Sequence, residues 1–403
     1  MLRNWIDRSL ALLLAVVGLA CWGCHAPQPE FHLNEIEIIE QQAAVSEEIT
    51  PEQRDQIATV LYAMFGTPDA PDNPWEREGA HVSLLAEQGF NVDLLRMAAG
   101  PVGSDEQGNT TGLYRLHCSH CHGITGDGRG PTAAFLNPYP RDYRQGVFKA
   151  KSTELAAKPT HADLKRTLVE GFPGTAMPSF KLLKDIELEA LVEYVKYLTV
   201  RGETEIELIF LTSDEGEVPT DPAVLVDEIL KPRVEAWKIA EEKVVHPVTP
   251  QSFASEAEKL ASIERGRTLF YADTGGNCAS CHGNLALGDG QLNLYDMWNE
   301  PIANPELEAA FLAVGALPPR YLKPRNLRQG VYRFGRRPID IYRRIYVGIA
   351  GAQMPAATLK TSDEGPGVSE QDIWDIVNYV QSLPYEPLSL PPELERAGLR
   401  ERL

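Results

Sequence analysis

Cysteine is scarce in this chain, with six among 403 residues. Four fall into two widely separated pairs, and the other two, Cys21 and Cys24, close an N-terminal apolar stretch. None is left over for a structural disulfide, so the fold has to be held by its cores. Long apolar runs are lacking too. Only Ser9 to Ala20 is continuous and small-apolar, and it falls short of the roughly 20 residues that a membrane-spanning helix needs. Positive charge is in deficit, 38 Lys and Arg against 57 Asp and Glu, for a formal net charge of −19. Such a balance argues against nucleic acid as a partner. The acidity is unevenly spread: residues 26–108 and 202–258 carry nearly all of it, while 109–201 and 259–385 are slightly basic or neutral.

What is present is a repeated set of metal-binding parts. Cys118-Ser-His-Cys121-His122 is followed by Met177-Pro178, and Cys278-Ala-Ser-Cys281-His282 by Met354-Pro355. In a Cys-x-x-Cys-His run, two thiols add across the vinyl groups of a haem and the histidine binds its iron from one side. Residues at i and i+3 share a helical face, as attachment to one porphyrin edge requires. Gly123 and Gly283 follow directly and allow a sharp turn against the ring. Met177 and Met354, each in a Gly-x-x-Met-Pro setting, are the expected ligands on the opposite face. With His122 and His282 they make two closed axial sets, and a soft thioether raises the reduction potential. Both axial positions filled favours electron transfer over catalysis.

The repeat extends beyond the ligands. Pro140 to Lys149 matches Pro324 to Arg333, Gly174 to Pro178 matches Gly351 to Pro355, and Leu191 to Val195 matches Ile376 to Val380. Two copies of one domain explain this order. The second copy is longer between its His and its Met, mostly from Gln291 to Arg320. Arg141 and Arg144 in the first copy, and Arg325 and Arg328 in the second, are candidate donors to haem propionates, for which a guanidinium offers a forked pair of N–H groups; solvated surface charge is the competing reading. The run Arg333, Arg336, Arg337, Arg343, Arg344 is either a basic docking face or a solvated helix face. His161 is the one distal histidine candidate for the first copy.

At the N-terminus, Arg3 and Arg8 precede the apolar core in the manner of an export signal. Gly18-Leu19-Ala20-Cys21 resembles a bacterial lipoprotein cleavage site, although Gly18 stands where Leu or Val is preferred. Lipidation at Cys21, ordinary cleavage and an uncleaved anchor are the open fates. Cys21-Trp-Gly-Cys24-His25 also satisfies the haem motif, but it is flanked by the export core and by Ala26-Pro27-Gln28-Pro29, with no Met-Pro before the next motif, so a third haem is not expected. Thr50-Pro51-Glu52 followed by Ile57, Val60, Leu61 and Phe65 marks a capped amphipathic helix ending at Gly66. Further on, Ile206 to Leu211 has a strand-like pattern, and Ala223 to Val244 a helical one.

These motifs resemble tandem class I c-type cytochromes of bacteria, of the respiratory-chain type. The resemblance covers residues 109–201 and 259–385, about half of the chain. It implies a mainly α protein with two small helical cytochrome c-like domains, two covalent haem c groups, and attachment outside the cytoplasmic membrane, hence a location on the periplasmic side, to which the N-terminal segment adds the expected membrane anchor. The expected organisation is an export segment at 1–25, an acidic accessory segment at 26–108, cytochrome domains at 109–201 and 259–385, a structured acidic linker at 202–258 and a tail at 386–403. The expected function is a membrane-tethered electron carrier, or a subunit of a respiratory complex, with redox proteins as partners and a lipid anchor to the membrane. The alternative is a dihaem enzyme, such as a peroxidase or sulfur-compound dehydrogenase, which needs a haem with an open or displaceable sixth position.

Overall fold

The computed structural model describes residues 29–45, 48–71, 74–77, 80–250, 252–273, 276–360 and 366–385. The export segment, Cys21 as lipidation candidate, the Cys21–Cys24–His25 run and the tail lie outside them. Among the described residues the chain is mainly helical, as the motifs imply, with two short antiparallel strand pairs. In chain order the helices are α1 (Glu35–Val45), α2 (Pro51–Phe65), α3 (Leu84–Glu87), α4 (Val92–Ala98), α5 (Leu113–His117), α6 (Ser119–His122), α7 (His161–Glu170), α8 (Asp185–Glu215), α9 (Lys231–Lys238), α10 (Glu256–Tyr271), α11 (Cys278–His282), α12 (Pro305–Ala313), α13 (Pro338–Val347) and α14 (Glu370–Ser382). The hairpin pairs β1 (Pro74–Arg77) with β2 (Ala80–Ser83). No described helix is long and apolar enough to cross a membrane.

Helix α2 starts as its sequence dictates. The Thr50 hydroxyl accepts from the Gln53 N–H while the Gln53 side chain accepts from the Thr50 N–H, and Pro51 costs nothing at a position whose N–H has no helical partner. Its apolar face, with Ile57, Leu61 and Phe65, is buried. It packs on α8 in one core with Leu84, Leu95, Tyr114, Tyr194 and Leu198. The Tyr197 hydroxyl donates to the Phe65 carbonyl at 2.6 Å and the Tyr194 hydroxyl to the Pro68 carbonyl at 3.2 Å. The acidic N-terminal segment is therefore part of the first repeat's core.

Helix α8 decides the same question at the other end. It runs 31 residues from Asp185 to Glu215, straight through the boundary expected at 201/202, and it stops where Gly216 adopts a left-handed conformation. Ile206 to Leu211, strand-like in pattern, lies inside this helix. Tertiary burial overrides the β-branched composition here: Leu208 and Ile209 face the core and Phe210 faces out. Gly202 sits at the crossing with the Pro-Arg stretch, since a Cβ there would collide with the Arg144 backbone. A buried ion pair between Arg201 and Glu205 spans one turn at 2.9 Å, and the second Glu205 oxygen accepts from the Asn34 N–H at 2.7 Å. Residues 224–243 form a π-helical turn, α9 and a 3-10 turn that fold back on α8, placing Leu225, Ile229, Leu230 and Val234 in the same core.

The second repeat has its own core, built on the crossing of α10 with α14. Gly266 permits the close approach, because any Cβ there would overlap the Asp375 carbonyl. Phe270, Tyr342, Ile373, Trp374 and Tyr379 fill the space around it.

The described residues from Phe31 onward form one unit, and the two repeats meet inside it. The Arg166 guanidinium bonds both Asp340 oxygens, at 2.7 and 2.8 Å. Phe172 and Phe334 meet edge to face, with centroids 5.4 Å apart. The insertion between Gln291 and Arg320 supplies much of the rest. The Trp298 ring lies under the Arg141 guanidinium at 3.5 Å, Asp296 pairs with Lys149, and the Arg320 guanidinium donates to the Leu136 and Ala134 carbonyls at 2.7 and 3.0 Å. Extra residues in the second copy thus serve as a docking element for the first.

Burial alone would raise the Asp340 carboxyl, but hydrogen bonds from Arg337 and Arg166 hold it down to about 2. A depressed folded-state pKa gives stability that is complete above the unfolded carboxylate value of about 3.9 and is lost as pH falls toward the folded value. Thermal melts between pH 5 and 2 should therefore show an acid-labile increment that Asp340→Asn lacks.

Candidate functional site

The first Cys-x-x-Cys-His run places Cys118 at the N-cap of α6 and the second forms α11, and both helices end at a glycine with positive φ, 76° at Gly123 and 82° at Gly283. A Cβ at either position would collide with a carboxylate oxygen, that of Asp127 or of Asp289. The turn then feeds each histidine into the same arrangement. The His122 Nδ1 lies 3.0 Å from the Arg141 carbonyl and the His282 Nδ1 lies 2.9 Å from the Arg325 carbonyl. A ring nitrogen facing a carbonyl carries the proton, so Nε2 is left with a free lone pair aimed elsewhere. Burial lowers the pKa of both imidazoles, that of His122 to about 4, which keeps them neutral and able to bind a metal. Burial pushes the Cys118 thiol up to about 12 and the Cys278 thiol to about 11.

The methionine loops also repeat. The Phe172 N–H donates to the Met177 carbonyl at 3.2 Å, and the Ile349 N–H donates to the Met354 carbonyl at 3.0 Å. Met177 is half-buried against the first core and Met354 against the second. In the second repeat the parts converge on one cavity of about 290 Å³, with Cys278, Cys281, His282 and Met354 all in its wall. Phe270, Leu294, Leu327, Ile341, Ile376 and Val380 supply apolar surface.

The arginines divide differently from the expectation. Arg141 and Arg325 act first through their main chain, as the acceptors for the two histidines. Arg325 also lines the second cavity. Arg144 is engaged by Asp142, which accepts from its Nε and Nη2 at 3.0 and 2.7 Å. Arg328 donates to the Leu285 carbonyl at 2.7 Å and is not among the residues of the cavity wall. The Arg333–Arg344 run is not a solvated face: Arg343 donates to the Val245 carbonyl, Arg337 pairs with Asp340, and Arg333 and Arg344 line the cavity. Arg336 alone of the five keeps an exposed side chain without such a tie among the described bonds. His161 is held away on α7, with Nε2 at 2.7 Å from Glu189. Tyr143, with Tyr332 an expected ring-packing or propionate-donating side chain, stacks on the His122 ring with centroids 4.7 Å apart; Leu327 stands in its place in the second copy.

The cytochrome c family model matches residues 109–199 and 263–384, together more than half of the chain. The chain belongs to the cytochrome c family. No curated protein matches this cytochrome. Among solved structures, a chain of the Kuenenia stuttgartiensis reducing HAO-like protein complex is similar at 21% identity and a TM-score of 0.46, covering 68% of this chain and 94% of that one. At that score the likeness carries no argument about function.

The family implies covalently bound haem c and haem-based electron transfer, and the second cavity fits the group. A haem is a flat apolar ring with two carboxylates at one edge, and the wall offers apolar faces, two thiols, a neutral imidazole and a thioether. Five cationic side chains, Lys149, Lys323, Arg325, Arg333 and Arg344, line it as well, and among the described residues no carboxylate does. The buried Nε atoms of Arg333 and Arg344 have no hydrogen-bond partner among the described residues. A buried donor without an acceptor costs about 1–3 kcal/mol, a penalty that an anionic ligand relieves.

Gly283→Ala would force the residue after the motif into a strained conformation and displace Asp289. We expect a loss of about 1–3 kcal/mol and a lower haem content per polypeptide, read from denaturant melts and from haem absorbance against protein mass.

Proposed function

We propose that this cytochrome carries two haem c groups and moves single electrons between protein partners. The first would be attached through Cys118 and Cys121 with His122 and Met177 as axial ligands, the second through Cys278 and Cys281 with His282 and Met354. The convergence of Cys278, Cys281, His282 and Met354 on one cavity wall carries this reading. Each bound haem supplies one reversible one-electron couple. The protein residues do the rest. The carbonyls of Arg141 and Arg325 orient the imidazoles, the Met loops close over the opposite face, and the apolar walls exclude water. With Met177 and Met354 to hold the remaining iron positions, the sites would be suited to transfer and not to turning over a substrate. The protein works as an exported carrier or respiratory-complex subunit on the periplasmic side, tethered by its N-terminus, with other redox proteins as partners.

The tests are a haem count and two ligand exchanges. Haem-to-polypeptide stoichiometry should be two. Met177→His and Met354→His should each retain covalent haem and each lower one midpoint potential by more than about 59 mV, the one-electron equivalent of a tenfold change in equilibrium. Each should also remove half of the red charge-transfer band of thioether-bound iron(III). A wild-type band of half amplitude together with hydrogen peroxide turnover would replace this reading with the enzyme alternative.

A further inference from the structure

The two copies are not equivalent in charge around their sites. Helices α7 and α13 correspond residue for residue, each ten residues long and each closed by a glycine, Gly171 or Gly348, ahead of the Met loop. In that register Asp163 matches Asp340, Arg166 matches Arg343, and Thr167 stands where the second copy has Arg344. Arg333 matches Lys149 in the repeated Pro-Arg stretch. Yet Lys149 does not stay with its own copy: it pairs with Asp296 and lines the second cavity.

The second cavity therefore collects the cations of both copies. Arg344 is anchored by neutral groups, its Nη2 donating to the Phe334 carbonyl at 3.1 Å and its Nη1 to the Asp340 carbonyl, and its Nε is left buried and unpartnered. The Arg333 Nε is likewise buried without a partner. Nearby carboxylates are already engaged, Asp340 by Arg166 and Arg337 and Asp296 by Lys149. Arg325 donates its Nε to the Val331 carbonyl at 2.7 Å. Positive charge near a redox centre favours the reduced state. One unit charge about 10 Å away at an effective dielectric constant of about 20 is worth on the order of tenfold in a one-electron equilibrium.

We propose that Arg333 and Arg344 bind the carboxylates of the haem in the second cavity, that Lys149 from the first copy completes that site across the interface, and that the second haem is in consequence the higher-potential centre, receiving electrons from the first. This rests on the two-haem reading above. The docked interface supports direct exchange. The Arg325 guanidinium packs on Gly174 in the first Met loop, and Trp298 fills the space between Arg141 and Gly351 in the second. Each Met loop is thus in contact with the interface.

The experiment is a redox titration of the full-length, haem-loaded protein and four variants. Met354→His marks the step that belongs to the second haem, and that step should be the higher of the two in wild type. Arg344→Thr, which installs the first copy's residue, should lower the same step by about tenfold in equilibrium, or about 59 mV, and leave the other unmoved. Lys149→Gln should lower it by less, and Arg344→Lys should keep it within threefold of wild type. Should Arg344→Thr fail to fold, Arg333→Gln is read in the same way. The inference is overturned if Met354→His moves the lower step. It is overturned equally if folded, fully loaded charge variants leave both midpoints in place, and in that case the two-haem reading survives. A Met354→His protein in which neither step moves removes the axial-ligand reading and this inference together.

Discussion

One hydrogen bond, made twice, organises this protein: a histidine Nδ1 against the carbonyl of an arginine that lies 19 residues downstream in the first repeat and 43 in the second. It ties the short motif helix to the Pro-Arg stretch, fixes the imidazole plane and leaves Nε2 as the only free ring nitrogen. The glycine after the motif makes the turn, with Asp127 or Asp289 packed beside it, and in the first copy Asp127 holds the following loop by accepting from the Arg129 N–H. The bond tolerates the difference in loop length because it depends only on where the two ends meet. An insertion between them can then acquire another task, and in the second repeat it has become the surface on which the first repeat docks.

That docking turns two similar domains into an unequal pair. Trp298 and Asp296, both in the insertion, capture Arg141 and Lys149 of the first copy. Arg166 of the first copy is matched by a doubly bonded Asp340 in the second. The consequence is electrostatic as well as mechanical. Basic side chains that a one-domain reading would leave on the surface are drawn inward, and Lys149 of the first copy joins Lys323, Arg325, Arg333 and Arg344 in the wall of the second cavity. The same packing explains why the acidic flanks and the basic repeats of the sequence do not behave as separate layers. Helices α1, α2, α4 and α9 pack on α8, so the acidic segments contribute to the first repeat's core.

The motif pairs, the order of elements within each copy, the capped helix at Thr50 and the mainly α class were all readable in the chain. Each depends on local chemistry: a fixed Cys-x-x-Cys-His spacing, a hydroxyl followed three residues on by Gln53, a helical period of apolar residues. Other features were not readable. Ile206 to Leu211 carries a strand-like composition, and only its position within a long buried helix overrides that preference. Arg144 looked like a ligand for a carboxylate outside the protein, but Asp142, two residues earlier, takes it. Arg333 and Arg344 looked like surface charge because their inward path depends on α13 and the Met loop closing around a cavity.

The sequence by itself determined which side chains are candidates to hold a haem, because those are set by residue type at short spacing: two thiols three residues apart, an adjacent imidazole, a thioether before a proline. Only the tertiary structure decided which charges surround each site and which copy owns them. Electrostatic environment is a property of distance through space. Lys149 and Asp296 are 147 residues apart in the chain and paired in the fold, and no local pattern records that meeting.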